Sequence, residues 1–175
     1  MTTILIARHG ETDWNREGRY QGHADPPLNA TGRAQAGQLA ETLTGAHLEA
    51  VYSSDLRRAA ETATIVGERL GLPVNKEPGL REIDVGTWQG LTQAQIDGRE
   101  WDGETYEHHS ERVLRALRGI ALRHPDGRVL VVSHGGSLRR VQERVLGEAL
   151  PVIEHCSVWT CSTNGEDFQP EPAFT

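Results

Sequence analysis

Two histidines stand in the same local context. His9 follows the run Thr2-Thr3-Ile4-Leu5-Ile6-Ala7-Arg8 and precedes Gly10; His134 follows Arg128-Val129-Leu130-Val131-Val132-Ser133 and precedes Gly135. Both runs are β-branched and aliphatic, the composition of a buried strand. In open α/β sheets the carboxyl ends of the strands line the ligand crevice. If the two strands are central neighbours, both imidazoles face one pocket. Glycine after each histidine lets the backbone pass close to a bound group. A third short strand, Ala50 to Ser53, aims Arg57 and Arg58 at the same edge from the first turn of the next helix. Glu82 comes from a loop that must also return over an edge of the sheet.

Such a set suits phosphoryl transfer. A phosphate dianion needs positive charge and donors on several oxygens, and Arg8 and Arg58 offer planar forks to it. A neutral imidazole at His9 is a nucleophile that can take up a phosphoryl group. His134 can donate to oxygens that gain charge in the transition state. A carboxyl at Glu82 can protonate the leaving oxygen and then deprotonate the attacking water. The scheme needs no metal and no cofactor.

The elements that position these residues are readable from periodicity. Glu11 to Ala30 reads as a long polar loop, and Thr31-Gly32 opens a helix with Ala36, Leu39, Ala40 and Leu43 on one face. Ser54-Asp55 starts another, with Ala59, Ala63, Val66 and Leu70 in register, ended by Gly71. Pro73 to Lys76 is a short strand, and Leu80 to Leu91 a Gly-rich charged loop. A helix from about Ser110 to His124 buries Val113, Leu117, Ile120 and Ala121. Another follows His134-Gly135-Gly136, with Leu138, Val141 and Val145. Val158 to Thr160 is a last strand, and the polar tail from Asn164 an edge or a partly disordered end. Strands alternating with helices predict a three-layer αβα sandwich around a mostly parallel sheet. The chain is read as a single domain, 1–175, with no repeat or internal linker.

Composition narrows the partners. The net charge is −7, against the basic footprint that nucleic acid or an anionic membrane surface requires. A local arginine cluster can still bind a small phosphorylated metabolite. No stretch approaches the about 20 apolar residues of a membrane span. The N-terminal apolar run ends at once in charge, unlike a signal peptide. A cytoplasmic protein is expected, and a homodimer is compatible with its size. Cys156 and Cys161 stand an odd number of residues apart, on opposite faces if on a strand, and read as two reduced thiols. His108-His109 diverge on a helix, and no His-Glu-x-x-His or paired Cys spacing supports a metal site.

Arg8-His9-Gly10-Glu11-Thr12, with Trp14-Asn15, resembles the signature of the histidine phosphatase superfamily, the phosphoglycerate-mutase-like proteins. Further matches follow in order: Gln21-Gly22, Leu28-Asn29-Ala30-Thr31-Gly32, Ser53-Ser54-Asp55-Leu56-Arg57-Arg58-Ala59, Leu80-Arg81-Glu82-Ile83-Asp84-Val85-Gly86 and Val132-Ser133-His134-Gly135-Gly136. The resemblance implies that His9 is the phospho-acceptor and that Arg8, Arg58 and His134 bind the phosphoryl group. It implies that Glu82 is the proton donor and that Asn15 adds a hydrogen bond to the phosphate. It selects Arg58 over Arg57, left as a solvated helix residue beside Asp55 as an N-cap. Gln21 and Gly22 would line the substrate entrance, Gly135 would adjoin the phosphoryl pocket, and Trp88 would pack beneath the Glu82 loop as core filler.

The segment 91–105 is shorter than the covering insertion of such relatives, with Gly103-Glu104-Thr105 in place of its end. This predicts an open pocket with few specificity contacts. A mutase must keep its phosphorylated intermediate from water and so needs a closed site. The trimmed segment, and Gly136 where a polar residue would stand, favour a phosphatase over a phosphoglycerate mutase. An inactive phospho-ligand binding module is the other alternative, against which all five reacting residues are present.

Overall fold

The computed structural model describes residues 1–148 and 153–172. Six strands, β1 (Thr2–Arg8), β2 (Ala50–Ser53), β3 (Val74–Lys76), β4 (Arg128–Ser133), β5 (Val158–Thr163) and β6 (Phe168–Pro170), form one sheet in the order β3-β2-β4-β1-β5-β6. The first four strands of the chain run parallel, while β5 pairs antiparallel with β1 and β6 antiparallel with β5. β1 and β4 are therefore central neighbours. Their register sets Arg8 opposite Ser133, so the next residue of each strand, His9 and His134, leaves the sheet at the same level.

Two layers cover the sheet because its central strands are apolar on both faces. Ile4, Ile6, Val129 and Val131 pack with Val113, Leu117 and Ile120 of helix α5 (Tyr106–Arg123) and with Leu138 and Val141 of α6 (Gly135–Leu146). The alternate residues, Leu5, Ala7, Leu130 and Val132, pack with Leu39 and Leu43 at the end of α2 (Ala30–Thr42) and with Ala59, Ala63 and Val66 of α3 (Arg57–Leu70). Cys161 belongs to the first layer and Cys156 to the second; both are free thiols, pushed up to about 12 by burial.

Several boundaries differ from the sequence reading. The Glu11 to Ala30 loop contains one helical turn, α1 (Asp13–Arg16), closed by a capping box between Thr12 and Asn15, and the 91–105 segment contains another, α4 (Gln93–Ile96). α2 starts at Ala30, capped by Asn29. Asp55 does not cap α3: its carboxylate takes Arg81, with Nε 2.7 Å away, and the Arg57 N–H is capped from across the fold by Asp25. α5 begins four residues before Ser110 because Thr105 caps it through the His108 N–H. The last strand runs on to Thr163, and the tail adds β6 at the sheet edge; residues 173–175 of that tail lie outside the described residues. No helix among those described is long and apolar enough to cross a membrane.

Candidate active site

His9 is held by its own strand end. Its N–H donates to Ser133 O on the neighbouring strand at 3.0 Å. The ring Nδ1 lies 2.7 Å from Gly10 O. A carbonyl only accepts, so Nδ1 carries the proton and the Nε2 lone pair is left for chemistry. Arg58 Nε donates to that Nε2 at 3.3 Å. Burial first, and then the Arg58 charge, hold the His9 pKa well below 6.5, which keeps the ring neutral. Gly10 is required here: a Cβ on it would overlap Gly32 O at the start of α2.

Arg58, in the first turn of α3, is 1% exposed. Its two Nη atoms donate to Ala24 O and Gly22 O, each at 2.8 Å, so the guanidinium cannot swing away. Burial brings its pKa to about 10, opposed by the Glu82 charge, and it stays cationic. Gly22 delivers its carbonyl from a left-handed turn (φ +50°), and a Cβ there would stand 2.6 Å from Val85 Cγ2. Arg8 reaches Ile153 O with Nη1 at 2.7 Å, while its buried Nε meets no hydrogen-bond partner among the described residues.

His134 packs edge-on against His9, with centroids 5.1 Å apart. It is fully buried, and neither ring nitrogen has a hydrogen-bond partner among the described residues. Leaving such an atom unmet costs about 1–3 kcal/mol, a penalty a bound oxyanion would relieve. Burial, followed by Arg58, also pushes the His134 pKa well below 6.5. Helix α6 starts at the next residue, and its Gly136 N–H donates to Glu82 Oε2 at 2.9 Å. The other oxygen, Oε1, accepts the Ile83 N–H at 2.9 Å.

All nine residues singled out from the sequence come together. A cavity of about 420 Å³ is lined by eight of them: Arg8, His9, Asn15, Gln21, Gly22, Arg58, Glu82 and Gly135. The ninth, His134, packs edge-on against the His9 ring. Asn15 Oδ1 accepts from the Thr12 backbone at 3.1 Å, which leaves its Nδ2 as the donating end. The Gln21 amide is anchored 2.9 Å from the Thr12 hydroxyl. Trp88 is not core filler: it is half-buried and faces this cavity. The short 91–105 segment brings Trp101 to the lining.

Four supporting residues were not found by sequence reasoning. His155 donates from Nδ1 to His9 O at 3.2 Å, its ring 5.9 Å from that of His9. Arg112 donates to the backbone oxygens of Gly79, Arg81 and Glu82 and so pins the Glu82 loop. Glu104 braces that arginine: burial pushes its carboxyl up, but the Arg112 hydrogen bonds and charge outweigh this and hold it at about 2. His109 is 1% exposed, with Nε2 3.0 Å from Ser137 Oγ and 3.8 Å from Glu82 Oε1. Only tertiary contacts mark these four, because none stands in a local pattern that distinguishes it from a surface polar residue.

The site can therefore present a neutral imidazole to a phosphoryl group, the buried Arg58 and half-buried Arg8 guanidiniums and a helix N-terminus to its oxygens, and a carboxyl to its leaving group. Comparison with known proteins agrees with this geometry. The family model "Histidine phosphatase superfamily (branch 1)" matches residues 4–172. A probable phosphoglycerate mutase of an Enterobacter species is 35% identical over 98% of this chain and 87% of its own length. Phosphoserine phosphatase 1 of Hydrogenobacter thermophilus is 36% identical over 84% of this chain and 77% of its own. A mycobacterial glucosyl-3-phosphoglycerate phosphatase, solved with VO3, superposes with a TM-score of 0.87 at 32% identity, covering 99% of this chain and 98% of that one. The fold is that of the phosphoglycerate-mutase-like α/β proteins, and the chain belongs to the histidine phosphatase superfamily.

Proposed function

We propose that this enzyme hydrolyses small phosphomonoesters through a phosphohistidine on His9. The reading is carried by one observation: His9 keeps its proton on Nδ1, against Gly10 O, and turns a neutral Nε2 to the cavity beneath Arg58. Nε2 attacks phosphorus as the bond to the alcohol oxygen breaks, and Glu82 gives that oxygen its proton. Arg8, Arg58 and His134 bind the phosphoryl oxygens, Asn15 Nδ2 adds a donor, and the start of α6 favours their charge. Water then attacks phosphorus, Glu82 takes its proton, the P–N bond breaks, and inorganic phosphate leaves a neutral His9. Gln21 and Gly22 line the approach, and Gly135 lets the chain pass beside Arg8.

A phosphoglycerate mutase reading draws support from the mutase named among the relatives. Against it, a glycerate carboxylate needs cations beyond the phosphoryl pocket. The two arginines there are engaged: Arg19 holds Glu17 and Gly90 O, and Arg139 holds Glu143. The deciding experiment is phosphate release from a panel of esters in EDTA, including 3-phosphoglycerate with and without its bisphosphate. Free phosphate without 2-phosphoglycerate is expected. Interconversion of the phosphoglycerates with little free phosphate would make the enzyme a mutase. Activity lost in EDTA and restored by a divalent ion would remove the metal-free scheme.

A further inference from the structure

Beyond the phosphoryl pocket the cavity is walled by rings. Tyr20 meets Trp88 edge-on at 5.5 Å, Trp88 meets Trp101 edge-on at 4.9 Å, and Trp101 lies within 19° of parallel to Tyr106 at 6.1 Å. All four line the cavity that holds His9. They come from three separate places: the loop after α1, the Glu82 loop, and the approach to α5. A ring cluster serving as core would be covered, yet Trp101 is 37% and Tyr106 61% exposed. Contiguous apolar surface of this kind marks a place where something binds.

Three of the four polar ends of these rings are already used. Trp88 Nε1 donates to Glu100 O and Trp101 Nε1 to Glu104 O, both at 3.2 Å, and the Tyr20 hydroxyl donates to Gln93 Oε1 at 2.6 Å. What remains toward the cavity is mostly ring face and edge, joined by Ile83 and Val85, with Arg19 and Arg139 at its margin held by Glu17 and Glu143 and with Arg140 over the Tyr106 ring. A polyhydroxylated or carboxylate-bearing group laid on the ring faces would give up its water for few replacement hydrogen bonds, because the nearby arginines already hold carboxylates. A flat apolar group gives up little and gains stacking.

We propose that the alcohol portion of the substrate carries a flat, apolar ring system, stacked on the Trp88–Trp101–Tyr106 wall while its phosphoryl group sits at His9. This rests on the phosphatase reading and names the substrate class of that same site: an aryl-bearing phosphomonoester. Trp101 and Tyr106 are then specificity-determining residues, and the short 91–105 segment supplies selectivity through one indole.

The test compares ethyl phosphate with 2-(1-naphthyl)ethyl phosphate. Their leaving alcohols are closely matched, so a difference reports ring contacts and not bond breaking. The parent enzyme should favour the naphthyl ester by at least about tenfold in kcat/KM, carried by KM, as stacking of this strength predicts. Trp101→Ala should reduce the preference to below about threefold, and Trp101→Phe should restore most of it. The ratio between two substrates does not change if part of a variant is misfolded. A parent ratio near one, or a ratio unmoved in both Trp101→Ala and Tyr106→Ala, overturns the proposal. Calorimetric titration of the parent with both esters separates the two readings. Tighter binding of the naphthyl ester without phosphate release upholds the ring wall and removes the phosphatase.

Discussion

Gly136 and Glu82 occupy one another's space. The Gly136 N–H lies 2.9 Å from Glu82 Oε2, and a Cβ on Gly136 would overlap Oε1. The carboxyl proposed as the acid sits on the first turn of α6 only because that residue has no side chain. Gly136→Ala should therefore displace Glu82 while leaving Arg8, His9 and Arg58 in place. The expected result is a kcat lowered at least about tenfold for alkyl phosphates, with inorganic phosphate still binding. Steady-state kinetics beside phosphate inhibition would check it; equal loss of both would mean the whole pocket had collapsed.

Glu82→Gln removes the proton but keeps an oxygen for the backbone N–H groups. Turnover of alkyl phosphates should fall about 10²–10⁴-fold, and that of 4-nitrophenyl phosphate far less, because nitrophenolate leaves without a proton. Equal slowing of both esters would take the acid role away from Glu82.

His9→Ala should abolish both turnover and labelling. Rapid acid-free quenching of the parent with a labelled ester should trap a phosphoramidate, stable to alkali and lost in acid. A variant within tenfold of the parent rate, or a label on another residue, would end the phosphohistidine scheme.

Acid should destabilise the fold early. His9, His134, His109 and His155 all have pKa values pushed below 6.5, with burial the largest cause for each. As pH falls through about 6.5 the unfolded chain takes up these protons and the folded chain resists, so the unfolded state binds more. Stability is then full above about pH 6.5 and declines below it, with a slope of up to about 1.4 kcal/mol per pH unit for each of the buried rings of His9, His134 and His109, and less for the half-buried His155. Thermal unfolding should show Tm falling from about pH 7 to about pH 5. A Tm that is flat or rising on acidification would mean that these rings are protonated in the fold.

Arg112→Leu should unfold the Glu82 loop. The substitution leaves the Glu104 carboxylate with only the His108 ring and the Asp84 N–H as partners and frees three backbone oxygens. The pair is partly exposed, so the loss is set mainly by the three unmet backbone oxygens and amounts to about 1–3 kcal/mol. Denaturant unfolding would measure the loss, and Glu104→Gln with Arg112→Leu should recover part of it.

The strands and most helix faces were legible because burial leaves a period in the sequence. Ile4 and Ile6 alternate with Leu5 and Ala7 across the sheet, and Val113, Leu117 and Ile120 recur on one side of α5. The start of α5 was not legible, since Tyr106 to His109 carry no apolar period. A polar residue, His109, is buried there against Ser137. Asp55 carried the chemistry of an N-cap, but a bidentate arginine 26 residues on outcompeted the backbone for it.

For the site, residue types at strand ends and in the following loop singled out His9, Glu82 and His134 as candidates, while the choice of Arg58 over Arg57 came from the family resemblance. Which ring nitrogen of His9 faces the ligand, what fixes Arg58, and how Arg112 and Gly136 hold Glu82 were decided only in three dimensions. Trp88 shows the same division: its type was plain in the sequence, while its place in the cavity wall depended on Tyr20 and Trp101, each more than ten residues away. Sequence carries the identity of reacting groups and the periodicity of buried faces, both local properties. Orientation, protonation and exposure follow from neighbours distant along the chain, which only packing brings within reach.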